Sequence, residues 1–192
     1  MCIRDRIVSA DGNPEGRVTG HYHATWVKQE GRWRLANLCE IPDVSPADSD
    51  LSQLAWMIGT WTAEYDGAYL EVRTQWNATG TFLLRDMKII RDGTVVQRGS
   101  QRFGWDPAAK KIKSWSFDAD GGFGEATWTK DGDDWLGQAT GTLADGRSTS
   151  ATTILSYDGK DSFTRKTVAG RIEGVASPDQ LVRFKRQSEP QR

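Results

Sequence analysis

Histidine and cysteine, the side chains that most often act as bases, nucleophiles and metal ligands, occur only before Glu40. The sequence contains two of each, His21, His23, Cys2 and Cys39. The two histidines are two positions apart on a predicted strand, so both imidazoles point to one face and could share a metal ion. No third ligand lies near them, and we therefore predict no metal site. Two cysteines are too few to form a disulfide framework.

From Glu40 onward the sequence has neither imidazole nor thiol. This excludes a Ser-His-Asp triad, a Cys-His pair and a histidine-ligated haem there, and we predict no cofactor. Acid–base chemistry would depend on carboxylates or tyrosines, of which Asp118, Asp120 and Glu125 form the best cluster. The cluster matches the start of a calcium loop without the further ligand spacing of an EF-hand. A hairpin turn whose aspartates bond to the backbone is therefore the favoured interpretation, with a cation site as the alternative.

A second set of polar residues alternates in phase with apolar ones along predicted strands. Arg85 shares a strand face with Leu83, Met87 and Ile89. If this face is interior, Arg85 could orient a polar ligand together with Glu125 or Gln138, inside a cavity lined by aromatic rings. A buried arginine would then need a carboxylate partner or an anionic ligand. The alternative is a set of exposed cross-strand charge pairs. The candidate ligand-binding residues are Arg85, Trp115, Asp118, Glu125 and Gln138.

These side chains depend on a predicted framework of one short helix and many strands. Apolar residues at Leu51, Leu54, Ala55 and Ile58 predict a helix that begins at Ser49 or Asp50 and ends at Gly59. Elsewhere, short alternating runs are separated by turn residues, often Asp-Gly, which favour hairpins. The predicted strands are 59–65, 69–77, 81–91, 94–105, 111–118, 123–129, 134–142, 147–156, 162–169 and 180–186.

Ten strands joined by hairpins predict a mainly β fold. A meander of this length exposes edges unless it closes, so we expect an up-and-down antiparallel barrel over residues 51–187. A further hairpin is predicted around residues 29–32, within a separate part that spans 1–41. Residues 42–50 are interpreted as a linker, and 188–192 as a disordered tail.

Charge and hydropathy narrow the range of partners. The 192 residues carry 25 Lys and Arg against 26 Asp and Glu, which argues against nucleic acid as a partner. No run of about 18 apolar residues is present, so we predict no membrane span.

The first six residues lack the apolar core of a signal peptide. A cytoplasmic location is the default expectation, and a secreted or periplasmic one would require a leader upstream. The oligomeric state is left open, with a dimer as one option.

The start and the end of the predicted barrel resemble those of known barrels. Gly59-Thr60-Trp61 directly follows the helix, and the last strand contains Leu181-Val182-Arg183-Phe184-Lys185. This arrangement resembles that of the lipocalins and the wider calycin group. The resemblance implies that a basic residue of the last strand, here Arg183, packs over Trp61 and closes one end of the barrel. Gly59, Trp61 and Arg183 are the barrel-sealing residues that it predicts.

Two further segments carry resemblances. Gly104-Trp105-Asp106-Pro107 and the stretch 114–125 are similar to a bacterial family of lipocalin-like barrels that has no established activity and often follows a SnoaL-like domain of the nuclear transport factor 2-like fold. The segment 20–35 resembles the closing hairpin of such a domain, of the SgcJ/EcaC type. Because that fold needs more strands and helices, we expect 1–41 to be the end of a truncated domain. The alternative is a hairpin that docks on the barrel.

Three functions are compatible with these features. The first is a barrel that binds a small apolar or amphipathic ligand in its cavity. The second is an enzyme domain acting on such a molecule, in the manner of SnoaL-like proteins, with Asp118 and Glu125 as the residues to test. The third is a structural or interaction module without a ligand. Absence of histidine and cysteine from the barrel favours the first and the third.

Overall fold

The computed structural model describes residues 2–6, 20–42 and 50–188 of the chain. Most of the predicted linker and tail, and the helix cap predicted at Ser49, lie outside these ranges. The side chains of His21 and His23 also lie outside what it describes.

A closed antiparallel barrel of ten strands confirms the predicted fold class. Each strand pairs with its neighbours in the ring, and the first strand meets the last through Trp61 opposite Arg186 and Thr62 opposite Lys185. A two-residue strand, β13, lies on the edge of β12. The barrel strands are β4 (Gly59–Tyr65), β5 (Ala68–Trp76), β6 (Phe82–Arg91), β7 (Thr94–Asp106), β8 (Lys111–Asp118), β9 (Phe123–Asp131), β10 (Asp134–Thr142), β11 (Ser148–Tyr157), β12 (Ser162–Ile172) and β14 (Gln180–Arg186), and β13 is Val175–Ala176.

A second, smaller sheet is formed by the amino-terminal part of the chain. The predicted hairpin is present as β2 (Gly20–Gln29) and β3 (Arg32–Pro42), and β1 (Cys2–Arg6) adds a third strand that the sequence pattern did not predict. The aromatic side chain of Trp33 and the neighbouring Leu35 are exposed on this sheet.

The Asp-Gly pairs between strands make tight turns. Asp66 and Gly67 both have positive φ, 50° and 68°, and so do Asp92 and Gly93, at 49° and 74°. Positive φ at both central residues is the type I′ geometry, whose twist matches that of the flanking strands. These turns hold neighbouring strands in register and thereby fix which side chains face the interior.

The single helix in the described part of the chain is a 3-10 helix, Asp50–Met57, in place of the α-type periodicity expected. Its buried side chains are Leu51, Leu54 and Met57, which follow the three-residue turn of this helix type. Ala55, predicted to be on the buried face, is exposed instead. The helix is not long and apolar enough to span a membrane.

The core fills the end of the barrel next to this helix. Trp61, Leu83, Phe103, Phe163 and Phe184 are almost completely buried there. Phe163 also packs edge-on against Trp61 at 4.9 Å between ring centroids. Towards the opposite end the inward-facing residues include more polar side chains, and cavities remain between them.

Candidate functional site

The packed end of the barrel is sealed by a basic residue over Trp61, but that residue is Arg186. Its guanidinium carbon lies 4.0 Å from the Trp61 ring centroid. Arg186 Nη1 donates to the Ile58 carbonyl at 2.6 Å and Nη2 to the Trp56 carbonyl at 3.0 Å. The cation–π contact therefore also ties the last strand to the end of the helix.

The prediction that Arg183 forms this seal was wrong. Strand alternation places Val182, Phe184 and Arg186 on the inner face of β14, and Arg183 on the outer face. The Arg183 side chain is 69% exposed. It donates from Nη2 to Ser162 Oγ at 3.1 Å on the outside of the barrel.

The unfilled part of the interior contains two arginines, Arg85 on β6 and Arg165 on β12. Arg85 pairs with Thr74 and Gln101, and its side chain points inward, on the face that it shares with Leu83 and Met87. Only 5% of Arg85 is exposed. Arg165 is placed between Leu155 and Val182, both buried. The barrel thus carries two positive charges in its interior.

Neither arginine is neutralised by the described part of the protein. The Nε atoms of both are buried without a hydrogen-bond partner. None of the ion pairs among residues 50–188 involves Arg85 or Arg165. Burial and the nearby charge of Arg165 lower the pKa of Arg85 to about 9, and burial lowers the pKa of Arg165 as well. With a pKa of about 9, the Arg85 guanidinium therefore remains charged at neutral pH.

Aromatic rings provide part of the missing stabilisation. The Arg85 guanidinium carbon lies 6.0 Å from the Phe163 ring centroid, and that of Arg165 lies 5.7 Å from the Phe184 ring centroid. Phe163 and Phe184 stack on each other at 4.7 Å. Such contacts contribute about 0.5–2 kcal/mol each, which is less than the several kcal/mol that desolvating an unpaired ion costs.

A cavity of about 280 Å³ lies against the two arginines. We call it the polar lobe, since hydroxyl and amide groups of Gln101, Ser114, Ser116 and Thr153 face it beside Ala126 and Trp128. Ser114 Oγ is held in place by Trp128 Nε1, which donates to it at 2.9 Å, and by Gln101 Nε2 at 3.1 Å. This lobe extends to Leu143 and Thr149, at the end of the barrel opposite the helix.

Another cavity, of about 160 Å³, adjoins the polar lobe. We call it the apolar lobe, since Leu70, Val72, Met87 and Ile89 contribute to its wall. Lys88, Gln97, Arg98 and Gly99 complete the lining. Met87, Asp118 and Arg165 line both lobes.

Asp118, one of the candidate residues from the sequence, lines both lobes. Burial and the charge of Asp120 raise its pKa, so the ionised form is disfavoured relative to a free aspartate. Asp118 and Asp120 belong to a tight turn in which Gly122 N donates to Asp120 Oδ1 at 3.1 Å. This is the backbone-bonded turn favoured from the sequence. Residues 50–188 contain no group of His, Cys, Asp and Glu able to hold a metal ion.

The remaining candidate residues do not gather around Arg85. Gln138 is exposed and accepts a hydrogen bond from Thr152 Oγ1 at 3.2 Å. Trp115 pairs with Arg102 and Glu125 on the outer face. Glu125 is exposed on that face, although it contributes to the edge of the polar lobe. Their roles in ligand binding stay predictions that the geometry does not favour.

Sequence reasoning missed Arg165. The signal was available, because Arg165 is in phase with Phe163 along β12 in the same way that Arg85 is in phase with Leu83 and Met87. The importance of Arg165 becomes clear only once the fold places β6 and β12 against the same cavity.

The chain matches no protein-family model, and no curated protein matches it in sequence.

Proposed function

We propose that the barrel binds a small organic anion, whose acidic group lies between Arg85 and Arg165. The observation that carries the proposal is the pair of buried guanidinium groups with no carboxylate partner among the described residues. They face a cavity large enough for a small molecule. A protein that keeps two such charges beside a cavity gains the missing ion pair when an anion enters.

The energetics favour an anionic group over a neutral one. A carboxylate, sulfonate or phosphate accepts charge-assisted hydrogen bonds from guanidinium nitrogens, each roughly twice as strong as a neutral hydrogen bond. Binding also removes the repulsion between Arg85 and Arg165. A cation would add to the repulsion, and a neutral ligand would leave both charges uncompensated.

The lipocalin-like resemblance of the sequence agrees with this function, because such barrels hold small molecules in their interior. An enzyme is the weaker alternative, since no nucleophile–base pair lies in the polar lobe. Asp118 and the exposed Glu125 are the two acidic side chains that line the lobe, and they are its candidates for proton transfer.

Titration calorimetry with matched probes tests the proposal. We expect 1-octanesulfonate, which stays ionised at all working pH values, to bind at least about tenfold more tightly than octyltrimethylammonium or octanol, a difference of ~1.4 kcal/mol. Equal affinities for the three probes, or no binding of the sulfonate, would contradict an anion site.

Two variants identify the residues responsible. Arg85→Gln and Arg165→Gln should each weaken octanesulfonate binding about tenfold or more, because each removes a charged donor. Arg102→Gln is the matched control, since Arg102 is exposed on the outer face of β7. If the control weakens binding as much as the two interior variants, the anion binds elsewhere.

A further inference from the structure

The proposed anion site accounts for the polar lobe but not for the apolar lobe beside it. The apolar lobe shares Met87, Asp118 and Arg165 with the polar lobe, so the two lobes are separated by no more than these side chains. Leu70, Val72 and Ile89 offer a ligand carbon surface with no hydrogen-bonding capacity. Polar groups of Lys88, Gln97, Arg98, Asp118 and Arg165 line other parts of this lobe, and a hydrocarbon chain would displace water from the apolar part of its wall.

The geometry around Gly99 keeps this lobe open. Gly99 pairs with Met87 on β6 and with Asp118 on β8, and it faces the interior. A Cβ atom at residue 99 would lie 3.0 Å from Asp118 Oδ1 and 3.5 Å from Met87 Cε. Glycine therefore leaves room for the Asp118 carboxylate, whereas the contact with Met87 would be an ordinary van der Waals contact. The Met87 side chain, with its three rotatable bonds, lies where the two lobes meet.

We propose that the ligand is an amphipathic anion whose apolar arm occupies the apolar lobe, with Met87 and Ile89 as the residues that set the length of that arm. This inference rests on the proposed anion site, because the acidic group fixes the end from which the arm extends. Ile89 lines the lobe beside the bulge of the β6–β7 pair, where the register shifts between Ile89 and Ile90.

The test uses unbranched alkanesulfonates from butane- to dodecanesulfonate, titrated into the full chain. Each added methylene that enters the lobe should raise affinity about fourfold, and the gain should stop once the lobe is full. Ile89→Phe narrows the lobe without touching the polar one. We expect the affinity of this variant to stop rising at a shorter alkyl chain than in the wild type. Its affinity for butanesulfonate should stay within about twofold of the wild type.

Met87→Ala provides the opposite change. Because it removes the side chain between the lobes, Met87→Ala should let affinity keep rising up to longer alkyl chains. The volume-conserving Met87→Leu should leave the chain length of maximum affinity unchanged. Circular dichroism and urea unfolding of each variant verify that the fold is retained. Because Met87→Ala and Ile89→Phe change the lobe in opposite directions, the test does not depend on one variant folding.

The outcomes separate this inference from the proposed function. Affinity that is independent of chain length, or a length profile unchanged in both Ile89→Phe and Met87→Ala, overturns the apolar arm while leaving the anion site intact. Failure of every alkanesulfonate to bind overturns both. Binding that strengthens with length only in proportion to micelle formation also overturns the apolar arm.

Discussion

Arg85 and Arg165 are the residues at which the structure departs most from what stability alone would favour. Burial of two like charges without a partner costs free energy, and the stacked Phe163 and Phe184 rings offset only part of it. Unpaired buried charges persist in proteins mainly at sites where another molecule supplies the opposite charge. The two arginines are therefore expected to reduce the stability of the free protein and to stabilise the complex.

Replacement of Arg85 by methionine should separate these two effects. Arg85→Met keeps much of the side-chain volume and removes the buried charge, so we expect the free energy of unfolding in urea to rise by about 1–4 kcal/mol. The same variant should lose octanesulfonate binding. Arg102→Met on the outer face should change stability by less than ~0.5 kcal/mol. A clear loss of stability in Arg85→Met would mean that the guanidinium has a partner after all.

Asp118 provides a prediction about pH. Its ionised carboxylate, at the edge of both lobes, repels an anion, and its raised pKa means that it protonates at a higher pH than an ordinary aspartate. Affinity for octanesulfonate should therefore increase as the pH falls through this pKa. It should decrease above pH 9, as Arg85, with its pKa of about 9, loses its proton.

Asp118→Asn should remove the acidic half of that profile. We expect tighter binding than in the wild type at neutral pH and no further increase at lower pH, measured by calorimetry between pH 4 and pH 10. Asp133→Asn serves as the control, because Asp133 is exposed in the β9–β10 turn and lines neither lobe. An unaltered low-pH increase in Asp118→Asn would assign the effect to another group.

The helix and the first and last strands act together as the closed end of the barrel. Gly59 is required there for two reasons. Its φ of +117° is disfavoured for a residue with a side chain, and a Cβ would lie only 2.7 Å from Arg186 Nη1. The guanidinium occupies this space because it bonds to the Ile58 and Trp56 carbonyls.

Gly59→Ala should thus destabilise the protein by about 2–4 kcal/mol in urea unfolding, through strained backbone and displacement of Arg186 together. Gly93→Ala isolates the backbone part, since Gly93 has a φ of +74° with no atom near its hypothetical Cβ. We expect Gly93→Ala to cost about 1–2 kcal/mol. Equal costs for the two variants would show that Arg186 does not need the space beside Gly59.

Strand alternation explains which parts of the site the sequence could predict. The hairpins, nearly all strand limits to within one residue, and the shared face of Leu83, Arg85 and Met87 follow from local pattern and turn chemistry. Which of two faces is interior depends on closure of the sheet, so Trp115 and Gln138 could not be excluded from the sequence. Arg186 was missed although it is in phase with Val182 and Phe184, because the resemblance directed attention to Arg183.

Glycines inside strands show a similar limit. Gly104 and Gly137 lie inside β7 and β10, and neither has positive φ. A Cβ at residue 104 would lie 2.6 Å from the Phe82 ring, and one at 137 would lie 2.8 Å from the Trp128 ring. These glycines make room for aromatic rings from neighbouring strands. That need depends on register, which the composition of one strand does not reveal.

All residues named for the proposed site and for the closed end of the barrel lie between Asp50 and Arg186. We therefore predict that a chain beginning at residue 50 folds to the same barrel and binds octanesulfonate within about twofold of the full chain, as an independent domain would. Circular dichroism and calorimetry of the two chains make the comparison. A shortened chain that folds but binds the probe much more weakly would mean that residues 1–49 contribute to the site.

The thermal stability of the full chain with two probes of opposite charge decides whether the cavity is built for an anion. At a concentration of about 100 times its Kd, octanesulfonate should stabilise the folded protein by ~2.7 kcal/mol and raise Tm accordingly, because it binds only the folded state. Octyltrimethylammonium at the same concentration should leave Tm unchanged. Equal shifts with both probes, or no shift with the sulfonate, would contradict the assignment of Arg85 and Arg165 as an anion site.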